Sequence, residues 1–266
     1  MFHMMRIDAE HQGTQALDRA LQFLTAILED GGDSSLAKIG GAMGLPRATA
    51  YRLSSALVRA GYVLPGGRGR LLPGSVLTAL SSKLSLRPAL TIIGRPVVEA
   101  LAARTKGVAH LGVLEQDMVT YLLKAGSHAD VFTAEGKQLE AYCSGIGKLL
   151  LASLPPDERA AYLENGPFVA LTRNTITDPT ELEREFGRIR DCGFARDIEE
   201  AGPGLHCLAA PVRDETGRIV AALSVTRTQP DTDEAGTLAA LRIAASDLEQ
   251  RMFRRASARD SAPKAA

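Results

Sequence analysis

The stretch "GLPRATAYRLSSALVRAG", residues 44–61, decides the fold of the first part of this chain. Proline is tolerated in the first turn of a helix, where its missing N–H costs no hydrogen bond, and glycine is favoured just after the last turn. Pro46 and Gly61 therefore delimit a predicted helix at 46–60. When residues are placed 100° apart around this helix, one side is the predicted core face. It consists of Pro46, Ala50, Leu53 and Leu57.

The opposite side of this helix carries basic and small residues and no acid. Its members are Ala48, Tyr51, Arg52, Ser55 and Arg59, with Arg47 on the flank near the start. Small side chains let a helix approach a surface closely, and arginines fork onto guanine edges or phosphates. Thr49 and the N–H groups of the first turn suit phosphate contact. We interpret the segment as a helix that reads DNA.

The flanking segments predict a winged helix-turn-helix over residues 14–74, preceded by a flexible N-terminus at 1–13. Apolar residues at three- and four-residue spacing predict a first helix from Thr14 to Asp30, and a short second helix precedes Gly44. "YVLPGGRGRLL", residues 62–72, is typical of a hairpin with a glycine-rich tip. Arg68 and Arg70 on that tip are expected to follow the phosphate backbone.

Charge is distributed unevenly along the chain. The 266 residues contain 31 basic and 31 acidic side chains, so the formal net charge is zero. From Ser34 to Val98, however, there are nine Lys and Arg and no Asp or Glu, which leaves −9 for the remainder. This asymmetry favours a polyanion-binding module joined to a second domain. A basic surface that is merely solvated is the alternative.

The second half predicts a different architecture. We expect a linker helix at 75–87, a domain at 88–256 and a disordered tail at 257–266. Strands and helices mix there without βαβ alternation, which favours an α+β fold with a mostly antiparallel sheet. The three cysteines show no CxxC pairing, as expected in the reducing cytoplasm. No apolar run reaches the roughly 18 residues of a membrane span, so no membrane partner is expected.

Two groups of residues in this half are candidates for a small-molecule site. "SGIGK", residues 144–148, leads into an apolar helix, and backbone N–H groups at a helix start suit an anion. An ordinary cap with glycines for close packing is the alternative. Ser224 and Thr226 share one side of a strand, and Asp197 and Cys207 lie at the edges of apolar segments. Solvated hydroxyls and a structural cysteine are the corresponding alternative.

Catalysis and metal binding are not expected. His206 and Cys207 are adjacent in a predicted strand, where neighbouring side chains point to opposite faces and do not pair. His110, His128 and His206 lack the spacing of metal ligands. We therefore predict that the protein is not an enzyme and carries no metal or cofactor.

The run from Gln15 to Val63 closely resembles the N-terminal domain of the IclR family of bacterial transcriptional regulators. Similar stretches follow in the second half: "VAHLGVLEQDMVTYLLKA", "SGIGKLLLASL" and "GLHCLAAPVRDETGRIVAALSVT". The family pairs a winged helix-turn-helix with a GAF-like α/β effector-binding domain. The return strand of the wing departs from the pattern, with Leu71 where tyrosine is common and Pro73 before the glycine.

The resemblance implies a one-component, ligand-responsive regulator that represses or activates a catabolic operon. Its partners would be double-stranded operator DNA, a second copy or three further copies of the chain, and a small organic acid, expected to be a carboxylate. The residues that match the family's effector site are Ser144, Gly145, Ile146, Gly147, Asp197, Cys207, Ser224 and Thr226. The alternative function is a small-molecule sensor or enzyme whose basic helical module contacts protein instead of DNA.

Overall fold

The computed structural model describes residues 5–81, 83–126, 128 and 131–253, with side chains from residue 15 onward. The chain divides into two compact units, with the boundary between Ser85 and Leu86. The tail predicted to be disordered at 257–266 lies outside the described residues.

The first unit is a winged helix-turn-helix. Its described elements are α1 (Met5–Asp30), α2 (Leu36–Ala42), α3 (Arg47–Arg59), β1 (Val63–Pro65), β2 (Leu71–Pro73) and α4 (Ser75–Ser81). The three leading helices share a small core built around Phe23, Ile27, Ile39 and Ala50, which the paired strands β1 and β2 close. The predicted arrangement of three helices and a hairpin is confirmed.

Two boundaries in this unit differ from the sequence predictions. The first helix begins at Met5 and not at Thr14, so residues 5–13, expected to be flexible, are helical. This stretch contains no proline, and the single Gly13 weakens a helix by only about 1 kcal/mol. Helix α4 ends at Ser81, short of the predicted 87, because the serines there are poor helix formers.

The second unit is an α+β domain around one antiparallel sheet. Its described elements are α5 (Arg87–Thr105), β3 (Val108–Glu115), β4 (Met118–Ala125), β5 (Gln138–Glu140), α6 (Gly145–Ala152), α7 (Pro156–Glu164), α8 (Pro179–Cys192), β6 (Ala195–Ile198), β7 (His206–Arg213), β8 (Ile219–Arg227) and α9 (Glu234–Phe253). The strand order is β5-β4-β3-β8-β7-β6, and every neighbouring pair is antiparallel. The antiparallel α+β prediction is confirmed.

Helices cover both faces of this sheet. Helices α5 and α9 pack on one face around a core that includes Leu90, Leu111, Leu223 and Leu241. Helices α6, α7 and α8 cover the other face, where their apolar side chains form a second core. All eight residues of α6 are buried, so this helix is held between the sheet and the outer helices. The candidate small-molecule site lies at its first turn.

Candidate functional sites

Close packing fixes the helix-turn-helix geometry in the first unit. A Cβ atom on Gly40 would lie only 2.9 Å from the Cβ of Ala50, so α2 and α3 approach to a distance that suits glycine. In the turn between them Gly44 has a φ of +66°, a conformation that glycine adopts without strain. The N–H of Leu45 then donates to the carbonyl of Gly40 at 2.8 Å and closes the turn.

One face of α3 packs on the core of this unit. Ala50 and Ser54 are buried, and Leu53 and Leu57 are half-buried. The prediction that Pro46 belongs to this face is wrong: Pro46 is exposed and precedes the helix as its N-cap. A cap residue lies outside the helical repeat, so angular spacing does not assign it to a face. Ser54 completes the buried face, and its hydroxyl donates to the Tyr51 carbonyl at 2.9 Å.

The opposite face of α3 is open to solvent. Its exposed residues are Arg47, Ala48, Tyr51, Arg52, Ser55 and Arg59, as the angular pattern predicted. Thr49 is half-buried, and its N–H already donates to the Pro46 carbonyl at 2.9 Å. The first turn therefore offers the N–H groups of Arg47 and Ala48 to a partner, and not that of Thr49.

The wing is attached to the start of α2. Its tip contains three successive left-handed residues, Gly67, Arg68 and Gly69, with φ of +77°, +50° and +72°. The Gly69 carbonyl accepts from the N–H of Leu36 at 2.7 Å, which anchors the tip. The side chains of Arg68 and Arg70 are exposed. Within the described part of the chain, no acid pairs with these two arginines or with the three of α3.

In the second unit, the first two N–H groups of α6 have no partner within the helix. Ser144 caps the helix: its hydroxyl accepts from the N–H of Gly147 at 3.0 Å, and its carbonyl from that of Lys148 at 2.8 Å. The N–H groups of Gly145 and Ile146, at the first two helical positions, have no partner within the helix. They lie at the positive end of the helix dipole.

The two glycines of this turn serve different purposes. A Cβ atom on Gly147 would lie 2.1 Å from the Ala141 carbonyl oxygen, so Gly147 is required for backbone packing. A Cβ atom on Gly145 would meet the Cβ atoms of Ala209 and Cys207 at 3.5 and 3.6 Å, which are ordinary contacts. The packing explanation therefore holds for Gly147, whereas Gly145 keeps space open beside Cys207.

Strand pairing brings the polar candidates together opposite this turn. Asp197 pairs with Cys207 across β6 and β7, and Cys207 pairs with Thr226 across β7 and β8. Ser224 lies two residues away on the same side of β8. A cavity of about 20 Å³ is lined by these four residues together with Ser144, Gly145 and Ile146. Of the residues matched to the family's effector site, only Gly147 does not line it.

Burial sets the protonation of the groups around this cavity. Asp197 is 1% exposed, its Oδ1 accepts from the N–H of Glu200 at 2.8 Å, and burial raises the pKa of its carboxyl group. The Cys207 Sγ lies 3.2 Å from the Thr226 hydroxyl, and burial raises the pKa of the thiol well above its usual value. A thiol held neutral is a poor nucleophile.

Sequence reasoning missed several residues around this cavity. Tyr121, Phe132 and Thr133 also line it. The buried ring of His110 lies next to Ser224 in the strand register, and its Nε2 is 2.7 Å from the Thr133 hydroxyl. Burial, assisted by Lys124, lowers the pKa of His110 to about 3, and its Nδ1 has no partner among the described residues. Phe132 and Thr133 lie in the loop after β4, where no periodic pattern marks a residue, and the pairing that places His110 beside Ser224 joins distant segments of the chain.

Lys148, the last residue of "SGIGK", pairs with carboxylates within the protein. Its side chain is 1% exposed and its Nζ contacts carboxylate oxygens of Glu200 and, at 3.4 Å, of Glu185. Burial raises the pKa of Glu200 to about 7 despite this cation. The positive charge at this end of α6 is thus already balanced by the protein's own acids.

Among the described residues, no group of three or more His, Cys, Asp and Glu side chains is placed to hold a metal ion. None of the helices there combines the length and apolarity that crossing a membrane requires.

A helix-turn-helix with a basic outer face, joined to an α+β domain with a buried polar cavity, defines a transcriptional regulator with a sensing domain. The model of the family described as "Bacterial transcriptional regulator IclR C-terminal" matches residues 86–250, and that of the "IclR helix-turn-helix domain" matches residues 16–65. The chain belongs to the IclR family of bacterial transcriptional regulators.

Individual relatives agree with this membership. The HTH-type transcriptional regulator RhmR of Escherichia coli K12 is 33% identical over 227 residues, which cover 85% of this chain and 87% of that protein. An IclR homolog from Microbacterium hydrocarbonoxydans, complexed with 4-hydroxybenzoate, has 26% identity and a TM-score of 0.59, covering 88% of this chain and 98% of that one. A double mutant of the PobR inducer-binding domain from Acinetobacter, complexed with 3-hydroxybenzoic acid, has 25% identity and a TM-score of 0.56, covering 60% of this chain and 97% of that one. The protein is a transcriptional regulator and not an enzyme.

Proposed function

We propose that the protein binds double-stranded operator DNA through α3 and the wing, and that a small organic acid bound beside α6 controls this binding. The DNA contact is supported by exposed arginines on a surface whose sequence contains no acid from residue 34 to residue 98. Side chains on α3 read base edges in the major groove, while the wing follows the phosphates. The contacting residues are Arg47, Ala48, Thr49, Tyr51, Arg52, Ser55, Arg59, Arg68 and Arg70.

One recognition helix reads too few base pairs to select an operator in a genome. We propose that the chain acts as a homodimer or homotetramer in the cytoplasm, where its DNA target lies. Each dimer would place two copies of α3 in successive major grooves. The operator would then contain two half-sites related by inverted symmetry, about 10 base pairs apart from centre to centre.

The effector we propose is a carboxylate. The single observation that supports this assignment is a cavity lined both by Gly145 and Ile146, whose N–H groups have no partner within the helix, and by residues with hydroxyl groups. N–H and hydroxyl donors at a positive helix end suit a carboxylate. Ser144, Ser224 and Thr226 supply the hydroxyls.

Asp197 restricts the chemistry of a ligand that this site can bind. An ionised Asp197 would repel a ligand carboxylate, whereas burial raises the pKa of the Asp197 carboxyl group and favours its neutral form. A ligand that also carries a hydroxyl group would satisfy Asp197 and Cys207. Hydroxybenzoates bound to the two relatives have both groups, so we propose a hydroxy acid as the effector.

The cavity must open before such a ligand enters. About 20 Å³ holds roughly one water molecule, whereas pockets for organic ligands measure roughly 300–1,000 Å³. Phe132 lines the cavity and is 57% exposed, so its ring is the wall residue with most freedom to swing outward. A ligand that enters only the open cavity would favour the open state over this closed one. Regulation requires such a difference in ligand affinity between two states.

The DNA contact is tested by fluorescence anisotropy with the DNA upstream of the protein's own gene and of neighbouring operons. Replacing both Arg47 and Arg52 by alanine is expected to weaken binding at least about 30-fold, since each charge-assisted hydrogen bond contributes about 1.5 kcal/mol or more. The salt dependence of the affinity should also become shallower. Arg184→Ala, which removes an exposed arginine of α8, is the matched control.

An Arg47→Ala, Arg52→Ala variant that binds this DNA as the wild type does would contradict the assignment of α3. In that case the basic module would serve a contact with another protein.

A further inference from the structure

A second pocket lies at the other end of α6, away from the effector cavity. It measures about 480 Å³, within the range of small-molecule sites. The last turn of α6, the end of α8 and the β7–β8 hairpin enclose it, and it shares no lining residue with the effector cavity. Leu149, Leu154, Ile189 and Ile219 give it an apolar floor.

Four arginines from separate elements line the same pocket, and no acid is among its lining residues. They are Arg159 of α7, Arg190 of α8, Arg213 of β7 and Arg218 of the β7–β8 turn. Bringing four guanidinium groups around one apolar floor costs electrostatic repulsion unless anions balance them.

Neighbouring acids balance this charge incompletely. Glu183 is shared by Arg159 and Arg190, at 2.9 and 3.2 Å, and Asp214 lies 3.4 Å from Arg218. The Arg213 guanidinium donates to the Gly217 carbonyl at 2.9 Å. Glu249 accepts from the backbone N–H of Arg213 at 2.7 Å. Among the ion pairs and hydrogen bonds of the described residues, three carboxylates lie beside these four arginines when Glu249 is included, which favours a positive excess beside the apolar floor.

We propose that this pocket binds a second small molecule, an organic anion with a phosphate or carboxylate head and an apolar ring or short chain. The planar guanidinium groups of Arg213 and Arg218 hold the head, because arginine forks match phosphate and carboxylate oxygens. The apolar body lies on Leu149 and Leu154. Binding of this ligand requires both the positive charge and the apolar floor, whereas a basic surface without such a floor would supply the charge alone.

Isothermal titration of the full-length protein with phenyl phosphate and with inorganic phosphate, at equal ionic strength, tests the proposal. Phenyl phosphate should bind with a Kd of about 1 mM or lower. Inorganic phosphate should bind at least about tenfold more weakly, because it leaves the apolar floor uncovered. Equal affinities for the two probes, or no binding of phenyl phosphate, would overturn the proposal. Phenylacetate then reports whether a carboxylate head is accepted in place of phosphate.

Variants locate the binding. Arg213→Ala combined with Arg218→Ala should weaken phenyl phosphate binding about fivefold or more. The matched control removes two exposed arginines outside the pocket, Arg184→Ala with Arg242→Ala, and should leave the affinity unchanged. A Ser224→Ala, Thr226→Val variant should also leave it unchanged, since neither residue lines this pocket. Equal losses in the pocket and control variants, or loss in the Ser224 and Thr226 variant, would contradict the assignment.

Discussion

Gly145 and Gly147 lie two residues apart in one helical turn, yet only one of them is fixed by packing. The Gly147 position has no room for a Cβ atom, because the Ala141 carbonyl oxygen would be 2.1 Å away. Gly147→Ala should therefore destabilise the second unit by about 1–3 kcal/mol or more, as overpacked cores do. Urea unfolding followed by circular dichroism measures this loss, and an unchanged midpoint would contradict the packing role.

Gly145→Ala should have the converse effect. Its Cβ atom would make ordinary contacts of 3.5–3.8 Å, so stability should change by less than about 1 kcal/mol. The added methyl group would nevertheless occupy space beside Asp197 and Cys207, where the effector is proposed to bind. We expect any hydroxy acid that the wild type binds to bind at least about tenfold more weakly to this variant, as measured by calorimetry. Wild-type affinity in this variant would place the effector elsewhere.

Helix α6 depends on a buried ion pair for its place in the second unit. Lys148→Met would leave Glu200 without its buried cation, at a cost of about 3–5 kcal/mol, whereas Glu185 keeps its ion pair with Arg188 at 2.7 Å. Adding Glu200→Gln should restore part of that loss, because it removes the charge that Lys148→Met leaves uncompensated. Chemical unfolding of both variants at pH 7 measures the difference. A double variant less stable than Lys148→Met alone would contradict this account.

Glu200 also predicts a pH dependence. Its pKa is raised by burial from 4.5 to about 7, so between those values the folded state holds a proton that the unfolded state has lost. The contribution of this group to stability therefore falls as pH rises from about 4.5 to about 7. Glu200→Gln should remove this part of the pH dependence in unfolding experiments. A profile identical to that of the wild type would show that Glu200 does not titrate in this window.

Elements with local signals were predictable from the sequence. Pro46 and Gly61 bracket α3, and the 62–72 hairpin has a glycine-rich tip. Strand β6 was missed because four residues, Ala195–Ile198, are too short to show a period. That strand carries Asp197, which the sequence indicated only as a polar residue at the edge of an apolar segment and the family resemblance matched to an effector site.

Contacts between distant residues had no such signal. Lys148 pairs with Glu185 and Glu200, which are 37 and 52 residues away along the chain. Local spacing does not register partners of this kind. The row of Asp197, Cys207 and Thr226 likewise depends on strand register, which long-range pairing sets. The sequence therefore indicated the polar residues of the proposed effector site but not other residues that line the cavity, such as Tyr121 and Phe132.

At the scale of the whole molecule, the basic and acidic residues are concentrated in different parts of the chain. Nine basic residues and no acids occupy positions 34–98, and the rest of the chain carries a net charge of −9. A field of this kind attracts DNA to the basic part and repels it from the remainder. The proposed effector site lies in the acidic remainder, so the proposal has ligand and DNA binding to different parts of the chain. Regulation then requires two states of the protein that differ in their affinity for DNA, one of which the ligand binds more tightly than the other.

The most direct test of this coupling is the affinity for operator DNA, measured by fluorescence anisotropy with and without 4-hydroxybenzoate and a panel of related hydroxy acids. We predict that at least one acid shifts the Kd for DNA by about fivefold or more, and that the Ser224→Ala, Thr226→Val variant binds DNA normally but loses the shift. An unchanged Kd for DNA with every acid that binds, or an equal shift in the variant, would contradict the account.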